Sequence, residues 1–139
     1  MVSEPATFRA VFDTNVVIAA LKSKNPNSPT VELLHRWRNH EFILLYADDL
    51  LLEYREKFVA RKIDPALRIA FLASLSVLAE RVHLSPEQIK PIIVDDPDDD
   101  VVLACAIVGK ASHLVSYDPH LLGLGEFYER RHTTTNENL

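Results

Sequence analysis

The chain reads as a single α/β domain, a three-layer α/β/α arrangement around a central, mainly parallel sheet. Three observations lead there. Short apolar segments alternate with longer segments of helical period, which is the pattern of parallel strands joined by helical crossovers. The 139 residues, 47% apolar and 25% charged, have the composition of one ordinary globular core. Acidic residues recur beside predicted element ends, and in an open α/β sheet the carboxyl ends of the strands converge on one crevice.

The first strand is the apolar segment 8–13, which ends on Asp13-Thr14-Asn15. Val16-Val17-Ile18-Ala19-Ala20-Leu21 then opens a helix, broken by Asn25-Pro26-Asn27. Ser28 is a favoured N-cap with Pro29 at the first helical position, and Val31, Leu34 and Trp37 supply that helix with an apolar stripe. Phe42-Ile43-Leu44-Leu45-Tyr46 is a second buried strand, after which Asp48 caps a helix running to about Ala60. Asp64-Pro65 starts another helix by the same rule, with Leu67, Phe71, Leu75 and Leu78 along one face.

Ser85-Pro86-Glu87-Gln88 has the form of a capping box. By periodicity alone the run 101–108 suits a buried strand as well as a helix. Acids before it and Gly109-Lys110 after it match the dipole and capping preferences of a helix. His113-Leu114-Val115-Ser116 is a third strand, ending near Asp118, and residues 130–139 form a last short strand or a frayed tail. The single domain thus spans 1–139, with its core over about 8–122 and a weakly patterned edge at 123–139.

Composition narrows the function. The first residues, Met1-Val2-Ser3-Glu4-Pro5, carry acid and proline instead of a basic stretch leading into an apolar run, so no leader is expected. No run approaches the ~20 apolar residues of a membrane span. The single Cys105 sits in an apolar run, excludes an intrachain disulfide and suits a reducing cytoplasm as a small buried hydrophobe. A net charge of -5 argues at first against nucleic acid. Four acids gathered around a cation would leave the remainder close to neutral, so bulk charge does not decide the matter.

The acids have plain and functional readings side by side. Asp13 caps the next helix or holds a ligand; Asn15 caps as well or orients Asp13 through its amide. Glu53 lies on a charged helix face, where an i,i+4 pair with Lys57 is the plain alternative. Residues 95–100 place Asp95, Asp96, Asp98, Asp99 and Asp100 around Pro97, more carboxylates than one helix N-terminus needs, so the loop is solvated or holds a cation. EF-hand spacing is absent, because the glycine and glutamate that such a loop requires are missing. Asp118 before Pro119 is a turn residue or a ligand. Taken together, oxygen donors at strand and helix ends suit Mg²⁺ or Mn²⁺. The six histidines and the lone cysteine lack zinc spacing.

The motifs Val11-Phe12-Asp13-Thr14-Asn15-Val16, Leu51-Leu52-Glu53-Tyr54, Asp96-Pro97-Asp98-Asp99-Asp100-Val101-Val102-Leu103-Ala104-Cys105-Ala106 and Leu114-Val115-Ser116-Tyr117-Asp118 resemble, in order, those of PIN-domain ribonucleases. The branch they resemble is that of the toxin components of toxin–antitoxin systems. The resemblance runs from about Phe8 to Leu122. It implies a PIN-like fold and an acidic quartet at Asp13, Glu53, Asp99 and Asp118, with Asp100 as the substitute for Asp99. Asn15 and Ser116 fall at its polar supporting positions.

The resemblance further implies an Mg²⁺- or Mn²⁺-dependent endoribonuclease acting on an RNA substrate, a homodimer, and a cognate antitoxin that blocks the acidic cleft. His120 departs from the pattern, where relatives often carry another acid, and the tail matches the family's final strand-turn-helix only loosely. The alternative function is a catalytically inactive PIN-like module in RNA or protein binding. Candidate phosphate contacts are Arg55, Lys57, Arg61 and Lys62 on one helix and Arg36 and Arg38 on another. A signalling receiver lacks its lysine near the last predicted strand, and a haloacid-dehalogenase-type phosphatase would want Asp where Asn15 stands.

Overall fold

The computed structural model describes residues 8–89, 97–117 and 132–133, with side chains described for 8–89 and 100–117. Its elements, in order, are β1 (Arg9–Phe12), α1 (Thr14–Lys22), α2 (Pro29–Arg38), β2 (Ile43–Tyr46), α3 (Asp48–Ala60), α4 (Pro65–Leu78), β3 (Glu80–Arg81), a 3₁₀ turn at Pro86–Gln88, α5 (Pro97–Val108), β4 (His113–Val115) and β5 (His132–Thr133).

Five strands form one sheet in the order β3-β2-β1-β4-β5, and every neighbouring pair is parallel. The expected parallel α/β architecture is therefore present. Both faces of the sheet are covered. Leu33 of α2 shares a small cleft with Ala10, Phe12 and Val115 on one face. On the other, the end of α5 lies so close that a Cβ on Gly109 would stand 2.9 Å from Leu45 Cδ1 and 2.8 Å from Val82 Cγ2. Val11, Phe12, Leu44, Leu45 and Leu114 are buried between the layers. A second cluster joins α2, α3 and α4 through Trp37, Tyr54, Phe58 and Phe71, with neighbouring ring centroids 5.7 to 6.3 Å apart. Aromatic pairs at such spacings are favourable beyond the area they bury.

Several local expectations are refined. Asp64 caps α4 through a 2.8 Å bond to the Ala66 amide, as its sequence predicts. Asp48 is instead the first residue of α3, behind the N-cap Ala47. Ser28 occupies the N-cap of α2, but its hydroxyl meets the Thr30 hydroxyl at 3.1 Å and no helix amide. Gln88 does reach back to the Ser85 amide at 2.8 Å, yet the capping box opens a single 3₁₀ turn and no long helix. On α4, Phe71 and Leu75 are buried while Leu67 is 43% exposed, so the apolar face is narrower than its spacing suggests. The run 101–108 is helical, which resolves the ambiguity between strand and helix.

Gly109 does not take the left-handed conformation. Lys110 does, with φ 56°, and the bonds from the Lys110 amide to Ile107 and from the Ala111 amide to Ala106 close α5 in a Schellman motif. The glycine is required instead by the close approach of helix to sheet, since a Cβ there would also lie 2.8 Å from the Cys105 carbonyl oxygen.

Candidate active site

The register builds the site. Phe12 pairs with Val115, so Asp13 and Ser116 are the first residues beyond two adjacent parallel strands, although 103 positions separate them in sequence. The Ser116 hydroxyl donates to Asp13 Oδ2 at 2.8 Å, and the Thr14 amide at the start of α1 donates to Oδ1 at 2.8 Å. The Asp13 amide continues the ladder by donating to the Val115 carbonyl at 3.0 Å. Asp13 is thus the N-cap of α1 by position, and capping leaves its second oxygen engaged by Ser116. At 5% exposure the carboxylate is buried, where hydrogen bonding and the positive end of α1 offset its lost hydration.

Two further elements reach this rim. α3 starts directly behind β2 and carries Glu53, half-buried, next to the fully buried Tyr54. The Tyr54 hydroxyl donates to the Phe12 carbonyl at 2.5 Å, so α3 is fastened to β1 one residue before Asp13. The phenol's pKa is pushed well above its ordinary value, first by burial and then by Cys105, Asp13 and Glu53 in that order. Tyr54 therefore lies in the field of both candidate carboxylates.

α5 runs the other way. Its C-terminal Gly109 carbonyl accepts from Arg9 at the start of β1, at 3.0 and 3.1 Å. Its N-terminus, with the Asp98-Asp99-Asp100 run, must then point to the carboxyl end of the sheet. Asp100 is 5% exposed, one turn before the buried Leu103 and Ala104. The backbone of Asp99 belongs to this first turn; its side chain lies outside the described residues, as do Asp95, Asp96, Asp118 and His120. Asn15 is exposed on α1, whereas Ser116 bonds directly to Asp13.

Among the described residues no three acidic, histidine or cysteine side chains come together as a ready cation cage. The donors described still suit a hard cation in kind. Oxygen donors of this type fit Mg²⁺ or Mn²⁺. Cys105 offers no alternative nucleophile, since it is fully buried and burial pushes its thiol up to about 12.

The basic candidates fall elsewhere. Arg36 is bonded to Glu32 at 3.0 Å, and both Arg36 and Arg38 sit in the last turn of α2, which delivers the chain to the start of β2. Arg61 and Lys62 close α3, about 20 Å from its start at 1.5 Å per residue. Arg55 borders an apolar groove of about 330 Å³ between α3 and α4, lined also by Phe58, Val59, Arg68, Ile69 and Leu72. Among the described residues no helix is long and apolar enough to cross a membrane.

Comparison with known proteins agrees with this fold. No curated protein matches the chain. A chain of the crystal structure of VapBC2 from Rickettsia felis bound to a DNA fragment from their promoter superposes with a TM-score of 0.61, at 14% identity, over 91% of this chain and 98% of that one. A PIN-domain family model matches residues 9–120, from the first residue of β1 past Asp118. With Asp13, Glu53 and the acidic start of α5 carried by the elements that this match spans, the chain belongs to the PIN-domain family.

Proposed function

We propose that this PIN domain is an Mg²⁺- or Mn²⁺-dependent endoribonuclease and the toxin of a toxin–antitoxin pair. The observation that carries the reading is the buried Asp13 carboxylate, fixed by Ser116 and Thr14 at the carboxyl rim. Asp13, Glu53, Asp99 and Asp118 would hold the cation, with Asp100 the neighbouring substitute for Asp99. The chemistry such a cation supplies is a lower pKa for the attacking water and stabilisation of charge on the phosphate oxygens.

The chain's own residues do the positioning. The two bonds to Asp13 restrict its rotation before any ligand arrives, so less entropy is lost on binding. Glu53, behind the start of α3, completes the site directly or through water. Tyr54 holds its proton at neutral pH and acts as a strut between α3 and β1. No covalent enzyme intermediate is required, and cleavage leaves a 5′-phosphate and a 3′-hydroxyl.

The homodimer and antitoxin need apolar surface, and α3 and α4 expose Val59 and Ile69 at 65% and 68%. This favours that face for protein contact. The experiment that tests the function is cleavage of single-stranded and hairpin RNAs with Mg²⁺ or Mn²⁺ by the native chain, Asp99→Asn and Asp100→Asn. Cation-dependent cleavage that falls at least about a hundredfold in Asp99→Asn supports the assignment; loss in Asp100→Asn alone moves the ligand by one residue. A folded native chain that cuts nothing favours the inactive binding module.

A further inference from the structure

The proposed nuclease needs a cationic hold on the RNA beside its acidic crevice, and topology places several of the described basic side chains relative to that rim. Arg9 and Lys110 lie at the amino end of the sheet, with Arg36 and Arg38 near it. Arg61 and Lys62 lie at the far end of α3. Arg81 is different. It is the last residue of β3 and pairs with Tyr46 of β2, which places it level with Phe12 and two strands away, about 10 Å at the usual strand spacing.

There the Arg81 guanidinium grips Asp48, the first residue of α3. Nε donates to Oδ1 at 2.8 Å and Nη2 donates to Oδ2, while Nη1 lies 3.5 Å from His83 Nε2. These groups line a cavity of about 180 Å³ together with Ala47, Asp49 and Leu84. The side chains of Arg81 and Asp48 are 45% and 63% exposed.

We propose that Arg81 binds an RNA phosphate at the β3 edge of the crevice, and that Asp48 is a displaceable counter-ion that occupies the guanidinium until the phosphate takes its place. The inference rests on the nuclease reading of the Asp13 rim. A guanidinium fork fits carboxylate and phosphate in the same bidentate way. The exposed pair is solvent-screened, so Asp48 is readily exchanged for a stronger anion. The first turn of α3 opens beside it without a side-chain cap, leaving backbone N–H groups on the same side. The strand engaged at Asp13 would then continue across β2 towards β3, and the arginines at the remote ends of α2 and α3 would contribute little.

The test is the affinity of a labelled single-stranded RNA as a function of salt, for the native chain, Arg81→Gln and Asp48→Asn. Ca²⁺ replaces Mg²⁺ because it takes oxygen ligands without the strict octahedral geometry of the smaller ion. Arg81→Gln should bind about tenfold more weakly and lower the slope of log affinity against log salt by about one. Asp48→Asn breaks the same ion pair but keeps the cation, and should bind as tightly as the native chain or more tightly. Equal losses in both variants would reduce the pair to a structural clasp and overturn the proposal. An unchanged slope in Arg81→Gln, with the native chain binding RNA, would overturn it while leaving the nuclease reading standing. Failure of the folded native chain to bind any RNA would overturn both.

Discussion

Arg9 and Asp13 bracket β1, four residues apart, and the fold uses the two charges differently. Arg9 spreads its guanidinium over the Gly109 carbonyl and both Glu80 oxygens, and its amide donates to the Ser112 hydroxyl at 3.1 Å. One side chain thereby ties β1 to the end of α5 and to the edge strand β3. Asp13 accepts from the Thr14 amide and the Ser116 hydroxyl at the end where α1 and α3 begin and where α5 also begins. The difference teaches that charge at the amino end is consumed by structure, whereas the carboxyl end gathers acids at the positions from which ligands are bound in open α/β sheets.

Substitutions at the two ends should separate activity from stability. Asp13→Asn should lower RNA cleavage by on the order of a thousandfold while keeping the native circular dichroism spectrum; retained cleavage would remove Asp13 from the site. Gly109→Ala drives a methyl into the Cys105 carbonyl, Val82 and Leu45. Urea unfolding should show a loss of about 1–3 kcal/mol. Arg9→Met should cost about 1–2 kcal/mol through the Gly109 carbonyl and Glu80 contacts, with turnover per folded molecule unchanged.

The smallest effect is on pH. Hydrogen bonding to Arg9 holds the Glu80 carboxyl below its usual 4.5, so its contribution is present above that pH and is lost as pH falls through the depressed value. Both partners are substantially exposed, which limits the contribution to a few tenths of a kcal/mol. Acid titration of stability in Arg9→Met should lack that increment.

The strands that carry a buried apolar run were legible, and so was the carboxylate at the end of the first. β1 and β2 differ from the expected segments by a residue at each end or less. β3 was not legible: it is two exposed, charged residues, Glu80 and Arg81, without an alternating pattern, and is recognisable only by its pairing with β2. The Asp13–Ser116 bond spans 103 positions. Family resemblance supplied both residues, but only the β1–β4 register explains why they touch. Periodicity likewise placed Arg36 and Arg61 on helices without saying towards which end of the sheet those helices run. The partner of Asp48 is an arginine 33 residues away, a contact that local capping rules do not contain.

The most direct test of the central claim, that the carboxyl end of β1 is a cation site and its amino end is structural, is calorimetric titration of the native chain, Asp13→Asn and Arg9→Met with Mn²⁺. The native chain and Arg9→Met should bind Mn²⁺ alike, and Asp13→Asn should bind at least about tenfold more weakly, as expected when a metal site is disturbed. Equal binding by all three, or none by the folded native chain, would contradict it.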